Sequence, residues 1–199
     1  LGHAKIAYSS PIIDYADCAS TPLESDNILP DECLVTEIAA GCVFSCSFCT
    51  YSLLGKKADA YARTYESLKN EIVTNYNNFG VRAYQMSDNM MNDWPNKMEY
   101  LARIRDETGI DVRWAGYARL DTIRDKKQAQ MFRDSGCVGV IFGIESMKKE
   151  VGPYIGKMTD GEKIKEILYV KAADRIDAAR PVISGSIFGD SENQSQEEA

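Results

Sequence analysis

The chain has 199 residues, 44% of them apolar and 27% charged, with a formal net charge of −7. These proportions exclude a disordered, collagenous or coiled-coil chain, and a length of this order buries about 70% of the unfolded surface without help from disulfides. The acidic balance argues against nucleic-acid binding by bulk charge, and no apolar run approaches the ~20 residues of a membrane span.

Residues 1–30 read as an N-terminal lead-in or linker: they have little period and contain Pro11, Pro22 and Pro30. From residue 31 to 199 short apolar runs alternate with helical stretches, as one core domain. The first run, Cys33 to Gly41, predicts a strand and is followed by a cysteine-rich loop. Tyr61, Tyr65, Leu68, Ile72, Tyr76 and Phe79, spaced by three and four, predict a helix stopped at Gly80. Val81 to Met86 reads as a second strand. Asn92 or Asp93 caps a second helix carrying Trp94, Met98, Leu101 and Ile104 on one stripe, ended by Gly109. Ile110 to Leu120 reads as a strand, Arg124 to Ser135 as a helix, and Cys137 to Ile144 as a strand rich in β-branched residues. Thr159-Asp-Gly-Glu162 is a capping box opening a helix to about Ala178, and Val182 to Phe188 reads as a fifth strand. Such alternation implies parallel strands joined by right-handed crossovers, in an α/β barrel or a doubly wound sheet. Ser195-Gln-Glu-Glu198 announces one more helix, so the expected core is incomplete at its C-terminus, with a sixth strand missing.

The sharpest feature is Cys42-x3-Cys46-x2-Cys49, directly after the first predicted strand. Three thiolates on one loop are one short of the four that close an iron–sulfur cluster or a structural zinc site. The missing fourth donor leaves a metal position open to a ligand. A structural zinc-binding module, a non-catalytic iron–sulfur electron carrier and a chance cluster of core cysteines are the alternatives. Zinc usually takes a second cysteine pair or histidines, and His3 in the lead-in is the single histidine.

The pattern C-x3-C-x-aromatic-C after the first strand of an α/β barrel resembles the radical S-adenosylmethionine (radical SAM) enzymes, from about Cys33 to the C-terminus. The resemblance implies a partial (β/α)6 TIM-like barrel with parallel strands, five of six strands being present. It implies that Cys42, Cys46 and Cys49 hold a [4Fe–4S] cluster, that S-adenosyl-L-methionine chelates the fourth iron, and that Phe48 lies near the adenine. It implies cofactor contacts from Glu145 and Ser146, in Gly143-Ile-Glu-Ser146, and from Gly185, Ile187 and Gly189, in the family's G-x-I-x-G-x-x-E pattern. The reduced cluster then cleaves S-adenosylmethionine to a 5′-deoxyadenosyl radical that abstracts hydrogen from a substrate. An external one-electron reductant of flavodoxin or ferredoxin type is the implied partner; neither a membrane nor a nucleic acid is. Within the family, the loop and the Phe-Gly-Ile-Glu-Ser tip look like the branch containing methylthiotransferases, porphyrinogen oxidases and cobalamin-dependent methylases.

Alternation along the fourth strand is an independent argument. Val138, Val140, Phe142 and Ile144 make a bulky face for packing on helices; Cys137, Gly139, Ile141, Gly143 and Glu145 make the other, whose glycines leave room inside a barrel. Barrel enzymes build sites at the C-terminal ends of strands, where Asp88, Arg119 and Glu145 fall. Ser87-Asp88-Asn89 departs from the family's Gly-Gly-Glu-like motif. Asp88 is therefore expected either to accept the methionine ammonium or to serve as a helix-capping or turn carboxylate. Arg119 is expected to pair with a carboxylate of cofactor or substrate, or with Asp121. Glu37 is expected mid-strand, as a buried acid needing a partner if its face points inward. Cysteine usage without a disulfide framework points to a reducing cytoplasm.

Overall fold

The computed structural model describes residues 22, 26–51, 61–93, 97–123, 125–157, 161, 162, 164 and 165, and the backbone of 180–184. Within these lie five parallel strands: β1 (Cys33–Thr36), β2 (Ala83–Met86), β3 (Arg113–Ala118), β4 (Cys137–Gly143) and β5 (Arg180–Ser184). They form one sheet in chain order, each strand pairing with the next. Helices α1 (Tyr65–Phe79), α2 (Lys97–Thr108) and α3 (Lys126–Asp134) connect successive strands, and α4 (Val151–Ile155) follows β4. Sequential parallel neighbours with helical crossovers are the progression of a (β/α) barrel, here a partial one.

The helices form where side chains cap them. The Thr64 hydroxyl accepts the Ser67 N–H at 3.2 Å to open α1, and Asp125 accepts the Gln128 N–H at 2.8 Å to open α3. Tyr65, Leu68 and Ile72 bury the inner stripe of α1, whereas Tyr61, expected in the same helix, is buried just ahead of it. The apolar core lies on one side of the sheet. Tyr84, Met86, Trp114, Ala118, Val140 and Phe142 meet Leu68, Ile72, Leu101, Ile104 and Phe132 there in one cluster. On the other side Val35 and Tyr117 are 60% and 47% exposed, and Gln85 and Ile141 are half-buried. One face is thus packed on helices, and the face bearing Gly139 and Gly143 is open.

Two expectations are corrected. β1 ends at Thr36 rather than Gly41, because the N–H groups of Ile38 and Ala39 turn to the Asp88 carboxylate instead of the sheet. The alternation in β4 is broken at Val138. Pairing steps from Trp114–Cys137 to Ala115–Gly139, which makes Val138 an extra residue in a bulge. Val138 is consequently 39% exposed and Cys137 is buried beside Trp114, the reverse of the expected faces, while Val140, Phe142 and Ile144 are buried as expected. The short helix α4 had no counterpart in the sequence reading. The lead-in residues 1–21, Trp94, Arg124, the Thr159 box, the Ser195 box and most of the helix expected to Ala178 lie outside the described residues.

Candidate metal and cofactor site

The loop carrying Cys42, Cys46 and Cys49 leaves the C-terminal end of β1, and all three thiols are partly exposed and outside any disulfide. Three groups of side chains hold it.

The first lies at the base of the loop, within the packed layer. Asp88, at the end of β2, is fully buried and accepts the backbone N–H of Ile38 at 2.8 Å and of Ala39 at 2.9 Å. Lys97, also fully buried, opens α2, with its Nζ 3.0 Å from Asp88 and 2.9 Å from Asp93. Its ammonium also donates to the Met90 carbonyl at 2.6 Å and sits 5.9 Å from the centre of the Tyr61 ring. Burial by itself lowers the Lys97 pKa; the two carboxylates outweigh it and hold the amine charged. Burial pushes Asp93 up to about 6 against the pull of Lys97. Lys97 and the backbone N–H of Val43 both draw it back toward the ionised form. Burial also raises the Cys42 thiol, against a backbone hydrogen bond from Phe44.

The second group centres on Arg119, just beyond β3. Its guanidinium grips Asp121 through Nε at 2.6 Å and Nη2 at 2.8 Å. Nη2 also donates to the Gly156 carbonyl at 2.6 Å, and Nη1 to Cys46 Sγ at 3.3 Å. The guanidinium carbon stands 4.2 Å from the centre of the Phe44 ring.

The third group is the C-terminal end of α4. Carbonyl groups left over at a helix end accept donors from elsewhere. Here Ile155 O accepts the Ser47 N–H at 3.2 Å. Gly156 adopts φ 76°, and a Cβ on it would lie 3.2 Å from Ser45 O and 3.4 Å from Cys46 Cα, so the loop approaches because this residue is glycine. Next to it, Lys157 Nζ meets Glu145 at 2.5 Å and Gly143 O at 3.2 Å, and stands 5.6 Å from the centre of the Phe48 ring.

The structure therefore gathers Arg119 and Cys46 at one spot and Phe48 and Glu145 at another. Asp88 is engaged by two N–H groups and an ammonium. These contacts are those of the turn carboxylate, one of the two readings of Asp88. The carboxylate partner of Arg119 is Asp121. Ser146 Oγ accepts the Lys148 N–H at 3.0 Å within a turn. Glu37 lies past the end of β1, half-buried, with its carbonyl accepting from Arg63. Cys33 is exposed at the start of β1. Gly185, Ile187 and Gly189 lie outside the described residues. Among the described residues no three His, Cys, Asp or Glu side chains are gathered as a ready metal cage. The fit to a [4Fe–4S] cluster is in the donor chemistry: three accessible thiols within eight residues of one loop, with a fourth coordination position left open.

Sequence reasoning missed Lys97, Gly156 and Lys157. Lys97 had a signal, since Asp93 precedes it by four residues and a lysine in a first helical turn opposes the helix dipole. Lys157 had none, because its partners lie 12 and 14 residues away.

The family model described as Radical SAM superfamily matches residues 36–198. The chain belongs to that superfamily and carries the core of a radical SAM-type enzyme, whose cofactors are a [4Fe–4S] cluster and S-adenosylmethionine. Among curated proteins, "Uncharacterized methyltransferase PH0819" of Pyrococcus horikoshii is 27% identical over 157 residues, covering 74% of this chain and 33% of the relative. Among solved structures, the radical S-adenosylmethionine methyltransferase TsrM from Kitasatospora setae, with cobalamin and [4Fe–4S] cluster bound, matches at TM-score 0.58 and 18% identity. That match covers 76% of this chain and 30% of the other. The cobalamin-dependent S-adenosylmethionine radical enzyme OxsB matches at TM-score 0.56 and 17% identity, covering 76% and 23%. At those identities the two structures speak for the fold. The chain spans about a third of the length of the curated relative. No helix among the described residues is long and apolar enough to cross a membrane.

Proposed function

We propose that Cys42, Cys46 and Cys49 are the cluster ligands and that S-adenosylmethionine docks at the open iron. Held by these three thiolates and reduced by an external one-electron donor of flavodoxin or ferredoxin type, a cluster would supply the electron for splitting the cofactor into methionine and a 5′-deoxyadenosyl radical, which would take hydrogen from a substrate. Phe48, 42% exposed beside the Lys157–Glu145 pair, offers a ring for the adenine, and Glu145 and Ser146 line the same strand end. By the family's G-x-I-x-G-x-x-E pattern, Gly185, Ile187 and Gly189, which lie outside the described residues, are expected to add cofactor contacts. The open sheet face, with Val35, Gln85, Tyr117 and Ile141, is the wall against which a substrate lies away from water. The five cysteines among the described residues are outside any disulfide, which agrees with a reducing cytoplasm.

The observation that carries the reading is the C-x3-C-x2-C loop standing at the C-terminal edge of a parallel sheet. Anaerobic reconstitution of the full chain with iron and sulfide tests it. A reduced EPR signal that changes on adding S-adenosylmethionine is expected, as is its loss in each of Cys42→Ala, Cys46→Ala and Cys49→Ala. A signal indifferent to S-adenosylmethionine identifies an electron carrier, and zinc without iron a structural module.

A second reading has its own support. The relatives' names include methyltransferases, which favours transfer of a methyl group to the substrate. Isotope from methyl-labelled S-adenosylmethionine then appears in the product, and dependence of that transfer on added cobalamin separates the two routes.

A further inference from the structure

We infer that Arg119 is a positioning residue of the cysteine loop and that its charge sets the reduction potential of the cluster held there. The inference rests on the reading that Cys46 is a cluster ligand.

The guanidinium has five N–H donors. Two grip Asp121, one holds Gly156 O at the end of α4, and one points at Cys46 Sγ, 3.3 Å away. Its carbon lies 4.2 Å from the centre of the Phe44 ring, and Phe44 lies between Cys42 and Cys46 in the loop. One side chain thus holds the loop at two residues and ties it to α4. An ordinary ion pair with Asp121 requires neither contact.

The sulfur in the structure is a thiol, standing for the thiolate of the metal-bound loop. Arg119 is 6% exposed, so little water screens its charge. A donor to a ligating sulfur and a nearby cation both favour the cluster after it gains an electron, because reduction adds negative charge. Asp121, 5% exposed in its side chain, stands on the far side of the guanidinium and opposes that effect. The two charges therefore act with opposite sign on the same equilibrium. The electron comes from the external reductant, and no proton moves.

The test is EPR-monitored poising of the reconstituted full chain, with iron and sulfide content measured alongside. Arg119→Gln is expected to make the potential more negative, with the reduced-to-oxidised ratio at a fixed poise falling about tenfold, or about 59 mV for one electron. Asp121→Asn is expected to shift it the other way. Arg119→Lys restores the charge without the fork and lands between wild type and Arg119→Gln. Should Arg119→Gln fail to keep iron, the Asp121→Asn and Arg119→Lys shifts decide the matter. Loaded variants that leave the potential unmoved, or move it in one common direction, overturn the inference and leave the cysteine assignment standing. A wild-type protein that assembles no reducible cluster overturns both.

Discussion

Lys97 shows how much rests on a single buried cation. Removing one member of a buried ion group leaves its partners charged and unpaired, at a cost of about 3–5 kcal/mol. Lys97→Met is therefore expected to destabilise the chain by that amount in urea unfolding, since Asp88 and Asp93 would both stay behind. Asp88→Asn keeps an oxygen for one of the two loop N–H groups and is expected to cost less, about 1–3 kcal/mol. At this scale the sequence was legible where chemistry depends on spacing along the chain. Cys42, Cys46 and Cys49 announce themselves within eight residues. The pairing of Asp88 with Ile38 and Ala39 spans 50 and 49 residues, so nothing local marks it.

Among the elements, the helix ends follow from backbone chemistry. Gly136 has φ +83°, and a Cβ there would lie 2.0 Å from the Val112 carbonyl oxygen; Gly109 has φ +69° and nothing within 4 Å. Left-handed backbone alone costs a non-glycine residue about 1–2 kcal/mol. Gly109→Ala is expected to lose only that, and Gly136→Ala at least twice as much, as chemical denaturation of the two variants will show.

Glu107 joins the first two helices. It accepts from Lys69 at 2.6 Å, Arg103 at 2.6 Å and Tyr65 at 2.8 Å, and these bonds hold its carboxyl down at about 2. A folded-state value below the unfolded one stabilises the fold above the ordinary glutamate range, and that stability is lost as the pH falls toward the folded value. Glu107→Gln is expected to lower the melting temperature modestly near pH 7, by a margin that shrinks steadily from about pH 5 to pH 2 and also in high salt. The helical stripes were readable from their period. α4 was not, because five residues hold too little period to show.

For the molecule as a whole, charge placement runs against the total. A chain of net charge −7 sets Lys97, Arg119 and Lys157 around one cysteine loop, each at most 7% exposed and each facing a carboxylate. Parallel strands alternating with helices could be read from the pattern, but not their order in the sheet, since alternation alone fits a barrel and a doubly wound sheet alike. Asp121, two residues from Arg119, could be read as its partner; the Lys97–Asp88 and Lys157–Glu145 pairs could not, since they join separate segments and meet only once the sheet has formed.

The bulge in β4 has an evolutionary corollary. Because pairing with β3 resumes at Gly139 and runs unbroken to Phe142, gaining or losing a residue at position 138 would reshuffle the basal rim while Phe142 stayed in phase with β3. A change of length in that strand is therefore absorbed at its foot, insulated from the rim that carries Glu145.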